Sequence, residues 1–252
     1  MLEIKNFTKK YGNFVAVDDL SLTVNSGEIY GFIGHNGAGK STTIKAVVGA
    51  LGFNTGEIRI DGFSIKTDPI GANSVLAYVP DNPDIYDHLT GIGYLNFVCD
   101  VFKVSKEERN ERIKRYAADF ELTSSLGDAI GSYSHGMKQK LVIISALVHN
   151  PKLLVLDEPF VGLDPIASHK LKEIMRSICE NGGAIFFSTH VLEVAEKLCD
   201  RVGIIKKGRL VAEGTMKEVV GDKSLESIFL EIEGENTAEE KATSFVSTGG
   251  EE

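Results

Sequence analysis

Long apolar segments and disulfide-forming cysteine patterns are both missing from this sequence of 252 residues. No apolar run approaches the roughly 20 residues that span a bilayer, and residues 1–5 do not begin a signal peptide. The three cysteines, Cys99, Cys179 and Cys199, are an odd number and lack the spacing of metal ligands. We therefore expect buried, reduced thiols in a cytosolic protein.

An excess of positive charge is missing as well. The chain carries 27 Lys and Arg against 36 Asp and Glu, which gives a formal net charge of −9. This balance argues against nucleic acid as a partner, because such binding relies on cations that neutralise phosphates. Much of the acidic excess falls from residue 231 on, where Glu is mixed with small polar residues. We expect residues 221–252 to form an acidic, partly flexible extension that is a solvated end, with a regulatory element as the alternative.

What the sequence does contain is a complete phosphate-loop motif. Residues 29–33 predict a buried strand and residues 42–48 a helix, and the stretch between them fits G-x-x-x-x-G-K-[ST] without a mismatch. Its glycines let backbone N–H groups close around the β- and γ-phosphates, and the positive end of the helix acts on the same anion. Lys40 contributes a point charge and Ser41 a hydroxyl for Mg²⁺. The predicted nucleotide-binding residues are Gly34, His35, Asn36, Gly37, Ala38, Gly39, Lys40, Ser41 and Thr42.

Two carboxylates close a second apolar run. Residues 153–156 are continuously apolar, which is typical of a strand covered on both faces, and Asp157 and Glu158 follow directly. Successive side chains at a strand end point to opposite faces, so the two acids must differ in role. We expect Asp157 to hold Mg²⁺ and Glu158 to orient and deprotonate an attacking water. His190 follows another predicted buried strand, residues 184–187, so we expect its side chain at the same sheet edge. A histidine there can form a hydrogen bond with the γ-phosphate.

The order of predicted elements indicates one α/β core with an insertion. Short strands around a single strand–loop–helix unit fill residues 1–87, and strands and helices alternate again over residues 151–220, which is typical of a parallel sheet. Residues 88–150 instead carry helical periodicity. We interpret residues 88–150 as an inserted helical lobe, and the absence of an internal repeat predicts one core and not two.

These motifs, in this order and spacing, resemble the ATP-binding cassette (ABC) family, the nucleotide-hydrolysing subunits of ABC transporters. The similarity covers residues 2–220. It implies an α/β fold with a P-loop nucleoside-triphosphatase core, a mixed parallel sheet, an amino-terminal antiparallel β-subdomain and an inserted helical subdomain. It also implies that Tyr11 stacks on adenine, that Asp164 in the loop 159–165 communicates between two protomers, and that His190 is the switch histidine.

Two segments depart from the family pattern. The family signature Leu-Ser-Gly-Gly-Gln is altered here to Tyr-Ser-His-Gly-Met at residues 133–137. In the family this loop caps a helix and reaches across a dimer to the other protomer's γ-phosphate. The resemblance therefore assigns that contact in trans to Ser134, His135, Gly136 and Met137, and Ser134 is also a good N-cap.

The second departure is Asp81, which stands where the family usually has a glutamine that touches Mg²⁺ and senses the membrane partner. A carboxylate about 8 Å from the γ-phosphate would be repelled by on the order of 2 kcal/mol at an effective dielectric near 20. We therefore expect Asp81 to bind the metal or to swing outward towards a partner.

Chain geometry and the resemblance together imply a mechanism. Each protomer holds ATP and Mg²⁺ on its own phosphate loop, whereas Ser134 and Gly136 belong to a lobe too far along the chain to fold back onto it. Two copies, expected to be a homodimer, then clamp two MgATP head-to-tail, and hydrolysis releases the clamp. The resemblance further implies separate integral membrane permease subunits that hold this chain peripherally at the cytoplasmic face of the cell membrane. Residues 81–90 look most like exporter-type subunits of multidrug or antibiotic-resistance systems.

Two alternatives stay open. One is a soluble ABC-type ATPase that acts in an assembly pathway such as iron–sulfur cluster biogenesis. The other is a regulatory subunit that binds ATP and barely hydrolyses it, which Asp81 and His135 suggest and which Glu158 and His190 speak against.

Overall fold

The computed structural model describes residues 1–234, so residues 235–252 of the expected acidic extension lie outside the described part of the chain. The described residues form a six-stranded sheet, a four-stranded sheet and the helices around them. The strands are β1 (Leu2–Tyr11), β2 (Phe14–Val24), β3 (Ile29–Ile33), β4 (Thr55–Ile60), β5 (Phe63–Ser64), β6 (Leu76–Val79), β7 (Leu153–Asp157), β8 (Ala184–Thr189), β9 (Arg201–Lys206) and β10 (Arg209–Thr215). The predicted α/β fold class is confirmed.

The helices follow the strands in the order that an α/β core requires. They are α1 (Lys40–Val47), α2 (Pro69–Ser74), α3 (Gly91–Val101), α4 (Lys106–Asp119), α5 (His135–Leu147), α6 (Pro165–Glu180), α7 (Leu192–Leu198) and α8 (Met216–Val220). Residues 225–234 form a further helix, named α9 here, and two 3-10 turns lie at Thr123–Ser125 and Ile130–Ser132.

The six-stranded sheet brings the predicted site residues to one edge. Its order is β10-β9-β3-β8-β7-β6, with β10 antiparallel and the other five strands parallel. The central strands β3, β7 and β8 are buried along their whole length, as their continuous apolar sequences require. Ile33 pairs with Thr189, and Asp157 pairs with Ser188. The phosphate loop, Glu158 and His190 therefore leave the sheet side by side.

The four-stranded antiparallel sheet, in the order β2-β1-β4-β5, packs on the same core. Leu2, Ile4 and Phe7 of β1 are buried, and they join a hydrophobic cluster that also contains Phe32 and Phe186 of the parallel sheet. This packing fixes the end of β1 beside the phosphate loop.

Helices α3, α4 and α5 lie between β6 and β7 in the chain. The side-chain oxygens of Thr90, Ser105 and Ser134 each accept a hydrogen bond from the backbone N–H three residues later, so each helix begins at a hydroxyl N-cap. Residues 141–147 of α5 are all buried, which packs this group of helices onto the core.

Helix α9 corrects the expectation of a solvated carboxyl-terminal end as far as residue 234. Leu225 is 0% exposed and Phe229 is 7% exposed, and both belong to the main hydrophobic cluster. They are four residues apart, so they share one face of the helix. The acidic average composition of the extension conceals this short amphipathic pattern.

Helix α2 is also absent from the sequence-based prediction. Its six residues are too few to show helical periodicity, although Asp68 caps it by accepting a hydrogen bond from the N–H of Gly71 at 2.9 Å.

All three cysteines are free and buried, as predicted, and burial raises the pKa of Cys179 to about 11. Within residues 1–234, every helix is too short or too polar to span a bilayer.

Candidate active site

The phosphate loop depends on two glycines. A Cβ at Gly34 would lie 2.5 Å from the carbonyl oxygen of Ile205, and one at Gly39 would lie 2.9 Å from that of Ala16. Gly39 also has a φ of 113°, a conformation that L side chains rarely adopt. It caps α1, so the chain turns directly into the helix that starts at Lys40. The free N–H groups of the first helical turn consequently face the loop, which is the arrangement that binds an anion.

Lys40 lies beneath this loop and is 6% exposed. Its Nζ donates hydrogen bonds to the carbonyl oxygens of Gly34 at 2.6 Å and His35 at 3.2 Å. The same Nζ lies 3.8 Å from Oε1 of Glu158. Burial lowers the pKa of Lys40, and the carboxylates of Glu158 and Asp157 oppose that shift. The lysine is therefore held between the loop and the two acids, where an anionic ligand would meet it.

Asp157 is fully buried at the end of β7. One oxygen, Oδ1, accepts a hydrogen bond from the hydroxyl of Ser188, and the nearby hydroxyl of Ser41 acts to lower the pKa of this carboxylate. The other oxygen, Oδ2, is buried and has no hydrogen-bond partner among residues 1–234. Burial raises the pKa of Asp157, and the negative charges of Asp81 and Glu158 add to the shift. An unpartnered buried carboxylate oxygen next to a serine hydroxyl is a donor set that suits a hard divalent cation.

Glu158 and His190 are in direct contact. Nδ1 of His190 lies 2.9 Å from Oε1 of Glu158, and the backbone N–H of His190 faces Oε2 at 3.4 Å. Glu158 has a φ of 49°, which is uncommon for a residue with a side chain and turns its carboxylate away from the strand direction. The predicted acid and histidine are thus brought together at the sheet edge.

A cleft of about 460 Å³ opens over the phosphate loop, within the range of roughly 300–1,000 Å³ typical of small-molecule sites. The predicted residues that line it are Tyr11, His35, Asn36, Gly37, Gly39, Lys40, Ser41, Thr42, Asp81 and Glu158. Two lining residues, Phe14 and Ala16, were not predicted. Phe14 pairs with Tyr11 across the β1–β2 turn, so two aromatic side chains stand together at one wall. The strand-like alternation that resumes after Tyr11-Gly12 begins at Phe14, and this pattern could have indicated that Phe14 lies opposite Tyr11.

Of the residues predicted for the nucleotide, the metal or catalysis, four lie outside the wall of that cleft. Gly34 and His190 line a neighbouring cleft on the other side of the loop. Ala38 is 7% exposed, and Asp157 is buried below Ser41.

The altered signature turn, residues 133–137, does not reach the cleft within its own chain. None of residues 134–137 lines it. A Cβ at Gly162 would lie 2.9 Å from Cδ2 of His135, so the signature turn contacts the loop 159–165 instead. Lys140 of α5 forms an ion pair of 2.6 Å with Asp164 of the same loop.

Asp164 also caps α6 by accepting a hydrogen bond from the N–H of Ala167 at 2.8 Å. This N–H and Lys140 together lower the pKa of Asp164. The carboxylate that the sequence predicts for communication between protomers therefore also stabilises the local fold.

The fold and these contacts define a class of protein. A glycine loop at a helix N-terminus, a buried lysine, a buried aspartate at a neighbouring strand end and a second acid beside a histidine are the parts of a P-loop nucleoside triphosphatase. Residues 17–161 match the family model described as ABC transporter. The chain belongs to the ABC transporter family as an ATP-binding subunit, and it is an ATPase.

The relatives agree with this assignment. The chain is 34% identical over 245 residues to the ABC-type transporter ATP-binding protein EcsA of Bacillus subtilis (strain 168), over 95% of this chain and 99% of EcsA. It is 34% identical over 239 residues to the linearmycin resistance ATP-binding protein LnrL of the same organism, over 94% of this chain and 77% of LnrL. A solved structure of an ATP-binding subunit of an ABC transporter is 35% identical with a TM-score of 0.89, over 92% of this chain and 98% of that chain. The family predicted from the motifs is confirmed.

We predict that Asp157→Asn stabilises the metal-free protein. The raised pKa of Asp157 means that the fold disfavours its charged form. Stability of the wild type therefore falls as pH rises from the unfolded pKa through the folded one, and it stays lower above that window. The amide removes this penalty, so Tm at pH 7 with a chelator present should rise by about 2–4 °C, which corresponds to roughly 1 kcal/mol in a chain of this size.

Asp164→Asn is the matched control. The pKa of Asp164 is lowered, so the fold favours its charged form and the same substitution should lower Tm. A lower Tm for Asp157→Asn without metal would contradict the prediction.

Proposed function

We propose that this subunit hydrolyses ATP as one half of a head-to-tail homodimer in which each nucleotide is bound between the two copies. One observation carries the proposal: the cleft over the phosphate loop is lined by core residues and by none of residues 134–137. The signature turn ends in the N-terminus of α5, where Ser134 caps the helix. An open cleft on one surface and a helix N-terminus on another are complementary parts, and a two-fold arrangement would bring them together.

The nucleotide would be bound mainly by the predicted residues. Tyr11 is 48% exposed beside the loop, and Nζ of Lys9 lies over its ring, 4.8 Å from the centroid. The other face of the ring would stack on adenine, and Phe14 would widen that platform. The backbone of residues 34–42 and Nζ of Lys40 would hold the phosphates. Residues 134–137 of the second copy, Ser134, His135, Gly136 and Met137, would cover the γ-phosphate from the opposite side.

The residues present fit a bound Mg²⁺. The unpartnered Oδ2 of Asp157 and the hydroxyl of Ser41 are oxygen donors of the kind that Mg²⁺ prefers. Asp81 lines the same cleft and adds a negative charge close to Asp157. When bound, the cation neutralises charge on the phosphates. We propose Ser41 and Asp157 as its ligands and Asp81 as a second acid acting on the same ion.

Glu158 is the proposed general base. Its carboxylate would accept the proton of a water aligned with the γ-phosphate. His190, 2.9 Å away, would hold that carboxylate in place and donate a hydrogen bond towards the phosphate. Asp164, in the loop that follows Glu158, would report the state of one site to the second copy.

Transport would require separate membrane subunits. We propose that an integral membrane permease binds this chain at the cytoplasmic face of the cell membrane and that the complex is an exporter. Support comes from the resemblance of residues 81–90 to exporter-type subunits and from the similarity to LnrL, a linearmycin resistance protein. A soluble ATPase of an assembly pathway is the alternative.

Glu158→Gln should trap an ATP-bound dimer, because substrate binding remains while proton abstraction is lost. Size-exclusion chromatography with ATP should give a mass close to twice 27.4 kDa, and the same variant with ADP should elute as a monomer. In the Glu158→Gln background, Ser134→Ala should lower the dimer fraction with ATP. Ser132→Ala, an exposed serine two residues earlier, should leave that fraction unchanged. A Glu158→Gln protein that stays monomeric with ATP at high protein concentration contradicts the sandwich dimer.

Asp81→Gln should raise the Mg²⁺ concentration for half-maximal ATP hydrolysis by about fivefold, which is on the order of 1 kcal/mol. The physical reason is the loss of one negative charge beside the cation. Asp84→Asn, an exposed acid in the same loop, is the control and should leave the Mg²⁺ dependence as it is. Asp81 has no part in metal binding or coupling if Asp81→Gln changes neither the Mg²⁺ dependence nor stimulation by a membrane partner.

Affinity purification from detergent-solubilised membranes should recover the tagged chain together with a protein that has several transmembrane segments. Mass spectrometry identifies that partner, and an untagged strain is the control. Recovery of the chain only in the membrane-free fraction, with components of an assembly pathway, would favour the soluble alternative.

A further inference from the structure

Helix α9, residues 225–234, lies against the phosphate loop although it is far from that loop in sequence. The ring of Phe229 packs on the ring of His35 with centroids 4.8 Å apart and an interplanar angle of 58°. Phe229 is 7% exposed, so its own ring is packed in this contact. At the start of α9, the backbone N–H of Leu225 donates a hydrogen bond of 3.0 Å to Oε2 of Glu196 in α7.

Residues 232 and 233 of α9 also contact the core. Nζ of Lys206, the last residue of β9, donates to the carbonyl oxygen of Ile232 and lies 3.7 Å from Oε2 of Glu233. Oε1 of Glu233 lies 3.9 Å from Nε2 of His35. The helix is thus attached at both ends to core elements, with its middle on the phosphate loop.

His35 connects this packing to the ligand-binding backbone. Its carbonyl oxygen accepts hydrogen bonds from Nζ of Lys40 at 3.2 Å and from the N–H of Ala38 at 3.1 Å. The ring and this carbonyl belong to one residue, so packing on the ring restricts the backbone segment that carries the carbonyl to which Lys40 is bound. The side chain of His35 is 62% exposed, and its aromatic contact is with Phe229.

Helix α9 also faces the segment that carries the switch histidine. Gly34, His190, Leu192 and Phe229 line one cleft between the phosphate loop, the start of α7 and α9. The hydrogen bond to Glu196 fixes α9 to the same α7. The helix therefore bridges the two segments that lie on either side of this cleft.

We propose that Phe229 is a positioning residue for the phosphate loop, through which α9 sets the affinity of this site for ATP. Phe229 does not touch the cleft in which the nucleotide is expected. It acts by holding His35, and with it the carbonyl that orients Lys40. This inference rests on the proposed function and adds a carboxyl-terminal control of the same site.

The test measures the Kd for ATP of full-length protein carrying Glu158→Gln, which prevents turnover, together with its Tm. Phe229→Ala should raise the Kd about three- to tenfold, and Phe229→Leu, which keeps apolar bulk against His35, should restore most of the affinity. His35→Ala should raise the Kd by a similar factor. The double variant His35→Ala/Phe229→Ala should be no weaker than either single variant, because both remove one contact.

Leu230→Ala is the matched control. Leu230 is the next residue on the helix, lines the same cleft and is 62% exposed. Its truncation leaves the Phe229–His35 ring contact in place, so the Kd should stay unchanged. The proposal is overturned if Phe229→Ala lowers Tm and leaves the Kd as it was, if the effects of His35→Ala and Phe229→Ala multiply, or if Leu230→Ala is equally harmful. Failure of the parent protein to bind ATP would overturn the proposed function itself, and normal binding by the parent with an unchanged Kd for Phe229→Ala overturns only this inference.

Discussion

Parallel pairing of β3, β8 and β7 is the constraint on which the site depends. It aligns Ile33 with Thr189 and Asp157 with Ser188, so the phosphate loop, the two acids and His190 leave the sheet at one edge. A slip of one residue would turn every side chain of a strand to its other face and would remove the Ser188–Asp157 hydrogen bond. Both faces of these strands are packed, so a slipped strand would place each side chain in a space shaped for another, which favours the observed register.

Several groups at the candidate site are held in states that destabilise the folded protein. Burial lowers the pKa of Lys40 and raises that of Asp157, so the fold works against both charges. Oδ2 of Asp157 has no hydrogen-bond partner in the described part of the chain, and Glu158 adopts an uncommon positive φ. The disfavoured charges are the cation of Lys40 and the carboxylate of Asp157, which have opposite signs and lie close together. An anionic ligand together with a cation would offset them at once, which explains why such groups persist at a functional edge and not elsewhere in the core.

The sequence predicts the loop, the acids and the central strands well, because each is a local pattern: a fixed motif, a continuous apolar run or a strand end. Features that depend on tertiary contacts are harder to predict from the sequence. Phe14 reaches the cleft only through its pairing with Tyr11. Helix α9 depends on two apolar residues, Leu225 and Phe229, within an acidic segment, and no local signal indicates that their partners are α7 and the phosphate loop.

The altered signature has a structural consequence that the family pattern does not suggest. The ring of His135 occupies the space next to Gly162, and a Cβ at Gly136 would lie 3.0 Å from the carbonyl oxygen of the same glycine. With the Lys140–Asp164 ion pair, these contacts join the signature turn to the loop that starts at Glu158. Residues 158–164 therefore run from Glu158 at the sheet edge to a loop that packs against the N-terminus of α5, which Ser134 caps. The signature turn and the loop after Glu158 are thus packed as one unit within this chain.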